Sequence, residues 1–309
     1  MEERTSIRIA TRQSPLAQWQ AQWVAQQLQQ QHPWLTVKWV PIKTQGDQDL
    51  QLSLDQVTQG GLFVQALEEA LLKQQADLAV HSVKDLPMNQ PDGLCWTTFG
   101  EREDAREALI AYEPTNNIAA LPLRARVGTS SRLRQRQLAH LRPDLVLKPL
   151  RGDITSRLQC WQDGEYEALI LAVAGLKRLG LAADIQSYLP GEQMLTAPGQ
   201  GALGVQSRDD DPWIQALIAP RVQADVQACV LAERAVLREL AFDATLAIGA
   251  YAQPQDNGWL RLHARIVLVT GEPIQGIIEG SWDFAENLGQ QLAKQLYQQE
   301  SLGDSLRCG

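Results

Sequence analysis

The sequence predicts an α/β protein, because short apolar strands alternate with amphipathic helices. Two stretches show this alternation, one at the amino terminus and one that begins at Arg126. The 309 residues also exceed what a single hydrophobic core usually holds, so the length favours two or three domains. We therefore expect two α/β units whose loops face each other across a cleft, followed by a smaller unit of helices and strands.

In the first unit, Ser14 and Pro15 form a pair typical of a helix start, directly after an apolar strand. The elements expected in this unit are strands at 6–10, 37–41, 78–80 and 204–207 and helices that begin at Pro15 and at 62. The strand at 204–207 implies that the chain returns to this unit after Gln200. The Gln-rich loop at 44–59 is expected to be a mobile lid.

The second unit continues the alternation, and the third departs from it. The second is expected to contain strands at 126–128, 145–149 and 168–171 and helices at 131–140, 154–163 and 174–179. The third is expected to contain helices at 224–240 and 284–299, strands at 248–253 and 260–269, and a loose tail beyond 301. The expected domain boundaries are 1–102 with 201–221, 103–200, and 222–309.

The composition excludes several classes of protein. Apolar residues make up 44% of the chain and charged residues 21%, which excludes a disordered or fibrous protein. No secretory signal or apolar membrane span is evident, so we expect a cytoplasmic protein. The four cysteines have neither a CxxC nor a Cys/His spacing, so we expect neither a disulfide framework nor a metal site.

Positive charge is concentrated in one segment of an acidic chain. The net charge of -8 argues against binding to nucleic acid or to anionic membranes. Between Arg124 and Arg157, however, nine basic residues accompany only two acids, Asp144 and Asp153. This cluster fits a site for a polyanionic small molecule and fits a solvated helix face equally well.

Hydroxyl and arginine side chains recur where strands lead into helices. Free backbone N–H groups and the helix dipole favour a carboxylate at such turns. The residues concerned are Arg12, Ser14, Thr129, Ser130, Ser131, Arg151, Arg157 and Arg178. A single N-cap serine is usually only a cap, but the repetition at cleft-facing strand ends predicts an anion site.

One further strand ends in the sequence AVHSVKDLP, where Lys84 and Asp85 are adjacent. A carboxylate beside a cation at a strand end fits a catalytic group and equally fits a structural ion pair. The residues alone leave both interpretations open.

Ten motifs, in order, resemble the signatures of porphobilinogen deaminases and cover roughly residues 6 to 250. They are ATRQSPLAQWQA, GGLFVQALEEALL, ADLAVHSVKDLP, EREDAREA, VGTSS, QLAHLRPDL, LRGDITSRL, GEYEALILAVAGLKRLGL, APGQGALGV and LAERAVLREL. The resemblance implies two lobes like those of type II periplasmic binding proteins, with the active site between them, and a small α+β third domain.

The resemblance also implies a transferase of the hydroxymethylbilane synthase type. Porphobilinogen is a pyrrole that carries an acetate, a propionate and an aminomethyl group. Ammonia leaves to give an azafulvene, which the free α-carbon of the growing chain attacks, and four joined units are released as a linear hydroxymethylbilane. Each ring brings two carboxylates, which suits binding by arginine.

By this resemblance Asp85 is the catalytic carboxylate, which faces the pyrrole N–H groups and stabilises the cationic azafulvene. The positions implied to bind substrate are Arg12, Ser14, Lys84, Thr129, Ser131, Arg132, Arg134, Arg151, Arg157, Arg178 and Gln200. The expected partners are porphobilinogen, its linear oligomers and a small soluble starter, with no nucleic acid, membrane or metal, and the expected state is a monomer.

The sequence departs from this family at the primer position. The family attaches a dipyrromethane cofactor to a cysteine in a glycine-rich loop, and ungapped alignment places Ala244 there, preceded by Phe242 and Asp243. An alanine methyl cannot form a thioether, so we expect no covalent cofactor. Gly60 and Leu133 stand where the family commonly has basic residues.

Three hypotheses follow. The first is a porphobilinogen-polymerising deaminase that a soluble nucleophile starts. The second is an ordinary hydroxymethylbilane synthase that holds dipyrromethane noncovalently or through another thiol, such as Cys160. The third is a non-catalytic protein that binds pyrroles or linear tetrapyrroles, since a two-lobed fold also serves that purpose.

Overall fold

The computed structural model describes residues 4–44, 61, 63–112, 117–240 and 246–307. The predicted lid at 44–59, apart from Thr44, lies outside these residues, as do Gly60, Phe242, Asp243 and Ala244. The described chain forms two five-stranded sheets and one three-stranded sheet. The predicted class of two α/β units and a small α+β unit is confirmed.

The first sheet has five strands, numbered along the chain, which lie side by side in the order β2-β1-β3-β10-β4. Its strands are β1 (Ser6–Arg12), β2 (Thr36–Ile42), β3 (Leu78–Ser82), β4 (Leu94–Thr98) and β10 (Leu203–Arg208), and its helices are α1 (Pro15–Gln31), α2 (Gln65–Leu72) and α6 (Pro212–Ile218). Strands β1, β2 and β3 are parallel, whereas β10 is antiparallel to β3 and β4. The predicted return of the chain to this unit is therefore confirmed.

The second sheet repeats this arrangement in the order β7-β6-β8-β5-β9. Its strands are β5 (Glu107–Ala111), β6 (Arg126–Gly128), β7 (Val146–Lys148), β8 (Ala168–Ala172) and β9 (Ser187–Leu189), and its helices are α3 (Arg132–Leu141), α4 (Ile154–Gln162) and α5 (Val173–Arg178). Strand β5 is antiparallel to both of its neighbours. The antiparallel strands of the two five-stranded sheets, β10 and β5, each come directly after a segment in which the chain passes from one unit to the other.

The third sheet is antiparallel and consists of β11 (Ala247–Gln255), β12 (Trp259–Val267) and β13 (Ile274–Ser281). Helices α7 (Ala224–Leu240) and α8 (Ala285–Arg307) pack on it around one apolar cluster. Strand β13 was not predicted. The helical backbone of α8 extends past the predicted end at 299, through 301–307 to Arg307. That segment contains no proline, and its one glycine costs only about 1 kcal/mol.

The helix starts follow from their capping residues. Ser14 accepts a hydrogen bond from the Ala17 N–H at 3.4 Å, and Ser131 accepts one from the Arg134 N–H at 3.5 Å. These local bonds fix where α1 and α3 begin. Within the described ranges, none of the helices combines the length and apolar character needed to cross a bilayer.

Candidate active site

Asp85 lies in a single 3-10 turn, Val83–Asp85, that directly follows β3. The turn is held from two sides. The Val83 N–H donates to the carbonyl oxygen of Ala202 at 3.1 Å, and the guanidinium of Arg234 donates to the carbonyl oxygens of Val83, Leu86 and Pro87. Asp85 is half-buried, and none of the described residues donates a hydrogen bond to its carboxylate. The carboxylate is therefore held in place and remains accessible to a ligand.

Lys84 directly precedes Asp85 in the sequence and interacts with it electrostatically. Its Nζ donates to Oε1 of Gln200 at 3.0 Å. The pKa of Lys84 is lowered to about 8, chiefly by burial and then by the positive charge of Arg134, while Asp85 and Glu107 act in the opposite direction. Burial disfavours the charged form of the lysine because it removes water, and the neighbouring arginine adds to this effect.

Arg134 takes part in a buried ion pair that was not predicted. Its Nη2 lies 2.7 Å from Oε2 of Glu107, and its Nη1 donates to the carbonyl oxygen of Ile170 at 3.1 Å. Nη2 also lies 3.5 Å from Oε1 of Gln200, whose Nε2 donates to the carbonyl oxygen of Ala105 at 2.7 Å. Part of the charge of Arg134 is thus neutralised within the protein.

Arg157 lies on α4, where Asp153 caps the helix by accepting from the Ser156 N–H at 2.8 Å. Its Nε donates to the carbonyl oxygen of Gly152 at 2.8 Å. The pKa of Arg157 is lowered to about 10, chiefly by burial and then by the positive charges of Arg134 and Arg151, against the opposing charges of Asp85 and Asp153. Electrostatic interactions therefore link Arg134, Arg151 and Arg157 in one cluster beside Asp85.

Two further arginines stack on aromatic rings. The Arg12 guanidinium lies 3.9 Å from the ring centroid of Phe63. That of Arg178 lies 5.9 Å from the ring of Trp19 on α1, while its Nη2 donates to the carbonyl oxygen of Gly201 at 2.7 Å. Burial lowers the pKa of Arg178 to about 10. Arg178 therefore connects the second unit to α1 and to the returning segment.

Three of the hydroxyl groups at the helix starts keep a proton to donate, whereas Ser130 donates to the carbonyl oxygen of Leu150 at 2.9 Å. Thr129 is buried, and its Oγ1 accepts from the Ser131 N–H at 3.3 Å. Ser131 and Ser14 accept from the backbone as caps. A hydroxyl that accepts one bond can still donate one to a carboxylate.

The comparisons with known families identify the chain. The model described as "Porphobilinogen deaminase, dipyromethane cofactor binding domain" matches residues 7–216, and "Porphobilinogen deaminase, C-terminal domain" matches residues 227–298. The chain belongs to the porphobilinogen deaminase family. Membership supports a pyrrole-polymerising transferase with porphobilinogen as the family substrate.

Several solved structures are also similar. The aliphatic sulphonate binding protein SsuA from Escherichia coli is 14% identical over 79% of this chain and 73% of its own, with a TM-score of 0.42. The BvgS VFT2 domain from Bordetella pertussis is 12% identical over 73% of this chain and 92% of its own, with a TM-score of 0.43. YhfZ from Shigella flexneri is 18% identical over 75% of this chain and 94% of its own, with a TM-score of 0.38.

In this porphobilinogen deaminase family member, the predicted site residues fall into groups. Asp85, Lys84, Arg134 and Arg157 interact electrostatically, and Gln200 bonds to two of them. Arg12 is linked to this end of β3 by its charge interaction with His81, while Ala244 lies outside the described residues. Four residues that shape the site were not predicted, namely Arg102, Glu107, Glu233 and Arg234. The motif EREDAREA contains Arg102 and Glu107 and could have indicated both of them.

Proposed function

We propose that this chain is a deaminase that joins porphobilinogen units head to tail into a linear tetrapyrrole and releases ammonia. The observation that carries the proposal is the crowding of Lys84, Arg134 and Arg157 beside the accessible carboxylate of Asp85. The pKa values of Lys84 and Arg157 are lowered first by burial and then by neighbouring arginines, so both cations lie in a dehydrated site beside other positive charges. A substrate with two carboxylates supplies negative charge to this site.

Asp85 is the proposed catalytic carboxylate. The pyrrole N–H groups of the bound ring donate to it, and its charge stabilises the cation that forms when the C–N bond breaks and ammonia leaves. The α-carbon of the neighbouring pyrrole then forms a C–C bond to the methylene carbon and loses its proton. The arginines hold the acetate and propionate groups, and so fix the two rings in the orientation that this bond requires.

Initiation without the covalent dipyrromethane is supported by two observations. Alanine occupies position 244, where the family resemblance places the attachment cysteine. In addition, Leu133 is buried against Ala247 and Val267 of the third unit and lines the cavity at that junction, so no guanidinium is present at position 133 to bind a primer carboxylate. We therefore propose a soluble nucleophile as the starter, and we assign no step to dipyrromethane.

Cys160 is a poor substitute for the missing attachment cysteine. It lies on α4 and packs against the apolar cluster of the second sheet, with Leu158 and Trp161 as neighbours in sequence. Attachment of an anionic dipyrrole there would place carboxylates against apolar side chains. Action as a cytoplasmic monomer, and the domain boundaries given above, remain proposals from the sequence.

Mass spectrometry and an ammonia assay test this function together. We expect the purified protein to have the mass of its polypeptide alone, to release ammonia from porphobilinogen, and to yield a linear product with a soluble nucleophile at one end. A dipyrrole adduct on any cysteine would contradict the proposed initiation. Binding of porphobilinogen without ammonia release would identify a binding protein instead.

A further inference from the structure

A cavity of about 170 Å³ lies where the three units meet. Its lining residues include Lys84 after β3, Arg132 and Leu133 on α3, and Leu237, Leu246 and Ile248 of the third unit. In another protein an apolar cavity of about 150 Å³ holds one benzene molecule. The cavity therefore has room for one small ring, and two linked pyrroles with four carboxylate side chains would extend beyond it.

One wall of the cavity is apolar, although polar atoms make up more than half of the exposed lining. Leu133 is only 8% exposed and forms a buried cluster with Ala247 and Val267, so the wall formed by α3 and β11 is made of hydrocarbon. Such a wall favours the face of an aromatic ring, which loses its contact with water there.

Positive charge is present on one side of the cavity. The cavity is lined on this side by Lys84, Ser131 and Arg132. Arg234 also lines the cavity, but its terminal nitrogens already donate to the carbonyl oxygens of Val83, Leu86 and Pro87. Lys84 uses one of its three N–H donors on Gln200, so it can hold one carboxylate of a ligand by a charged hydrogen bond.

We infer that this cavity binds the starter of the polymerisation, and that the starter is a single aromatic ring with one carboxylate, selected by Leu133. The inference rests on the proposed function. Porphobilinogen loses ammonia by cleavage of its C–N bond, its methylene carbon forms a C–C bond to a carbon of the starter ring, and that ring carbon releases one proton. The products are ammonia and the linked pair of rings, so the step needs no oxidant or reductant.

The probe is pyrrole-3-acetate, which has one carboxylate and no aminomethyl group that could leave as ammonia. Binding is measured by ligand-observed NMR with the full chain, in the absence of porphobilinogen. We expect a Kd of about 1 mM or tighter, as small ligands of this size can reach. We also expect pyrrole-3,4-diacetate to bind at least about tenfold more weakly, because its second carboxylate meets the apolar wall. Absence of saturable binding, or tighter binding of the dicarboxylate, overturns the inference.

Two arginine variants of the same helix locate the site. In Leu133→Arg the longer, charged side chain fills the cavity, and we expect pyrrole-3-acetate binding to weaken at least about tenfold. Leu141→Arg adds the same charge at an exposed position of α3 and should bind as the wild type does. Equal binding by both variants overturns the inference. If Leu133→Arg does not fold, as judged by circular dichroism, Leu246→Phe fills the cavity from the opposite side and serves as the second test.

Activity separates failure of this inference from failure of the proposed function. With porphobilinogen present, we expect pyrrole-3-acetate to appear at one end of the product, as a defined mass increment. Ammonia release without probe binding overturns the starter site alone. Probe binding without ammonia release overturns the polymerising function and leaves the binding site standing.

Discussion

Asp85 has a different environment from the carboxylates that hold the fold together. Asp77, for example, lies 2.8 Å from Nη2 of Arg8 and 2.9 Å from Nη2 of Arg4, and its role is structural. Asp85 accepts no hydrogen bond from the described residues, although Lys84 and Arg157 lie close enough to interact with it electrostatically. A carboxylate that has cations nearby but accepts no hydrogen bond from the described residues is available to bind a ligand.

Replacing Asp85 by Ala should abolish ammonia release and leave the fold intact. The change removes the counter-charge to the cationic azafulvene and deletes little buried volume, and preorganised charge of this kind contributes about 10²- to 10³-fold in rate. Ammonia release and circular dichroism are the measurements. Asp92→Ala, an exposed carboxylate in the following loop, is the matched control. Near-normal turnover in Asp85→Ala would refute the assignment.

The lowered pKa of Lys84 predicts a pH dependence of substrate binding. In the free protein Lys84 loses its proton near pH 8, whereas a bound carboxylate would favour the charged form and raise the pKa. Below pH 8 the lysine is charged in both states, so binding is strongest there. Above pH 8, binding requires uptake of a proton, so KM should rise with pH.

The profile of KM against pH should become flatter in Lys84→Met, because that side chain does not titrate. Lys73→Met, which removes an exposed ion pair with Glu69, is the control and should keep the wild-type profile. An unchanged rise of KM in Lys84→Met would mean that another group titrates.

At the scale of single elements, α7 controls the position of the active-site turn. Arg234 on this helix is 2% exposed, stacks over the ring of Trp96 and donates to three carbonyl oxygens around the turn that carries Asp85. The third unit therefore contributes to the site by positioning a residue of the first. Helix α3 acts similarly, since its consecutive residues Leu133 and Arg134 contact the third unit and Glu107 respectively.

Replacing Arg234 by Met should lower kcat at least about tenfold with little change in KM. The substrate-binding arginines remain, but the turn loses the bonds that orient Asp85, and a displacement near 1 Å can cost about 10²-fold in rate. Steady-state kinetics at a fixed pH separate kcat from KM, and Arg234→Lys should partly restore kcat. Arg238→Met, one turn further along α7 in an exposed pair with Glu286, is the control. A rise in KM alone would indicate a direct role in binding.

At the scale of the whole molecule, one buried carboxylate joins the three units. Glu233 is 0% exposed and lies 2.6 Å from Nη1 of Arg102, in the segment between β4 and β5. It also accepts from the N–H of Gly199, before β10, at 2.6 Å and from that of Ala252, on β11, at 2.8 Å. Both passages of the chain between the first two units are thus fixed to the third.

Replacing Glu233 by Leu should lower the free energy of unfolding by about 3–5 kcal/mol, because the guanidinium of Arg102 is left buried without its partner. Urea unfolding, followed by circular dichroism, measures the change. Glu286→Leu breaks an exposed pair with Arg238 and should cost less than about 1 kcal/mol. Equal effects of the two substitutions would show that Glu233 does not connect the units in solution.

The sequence by itself determined the features that depend on neighbouring residues. Ser14 and Ser131 cap helices where they were predicted to, and α7 has its predicted bounds, because capping and periodicity act within a few residues. The order of the motifs likewise predicted the family and the group of cations beside Asp85.

Only the tertiary structure decided which distant residues meet. Arg134 pairs with Glu107, Arg234 holds the turn before Pro87, and Leu133 packs against Val267; the members of each pair are far apart in sequence, and no local pattern links them. The same holds for the antiparallel strands β5 and β10, whose direction depends on the route of the chain between the units. Local sequence specifies elements because their hydrogen bonds are short-range, whereas the site requires contacts that form only when the sheets and α7 pack together.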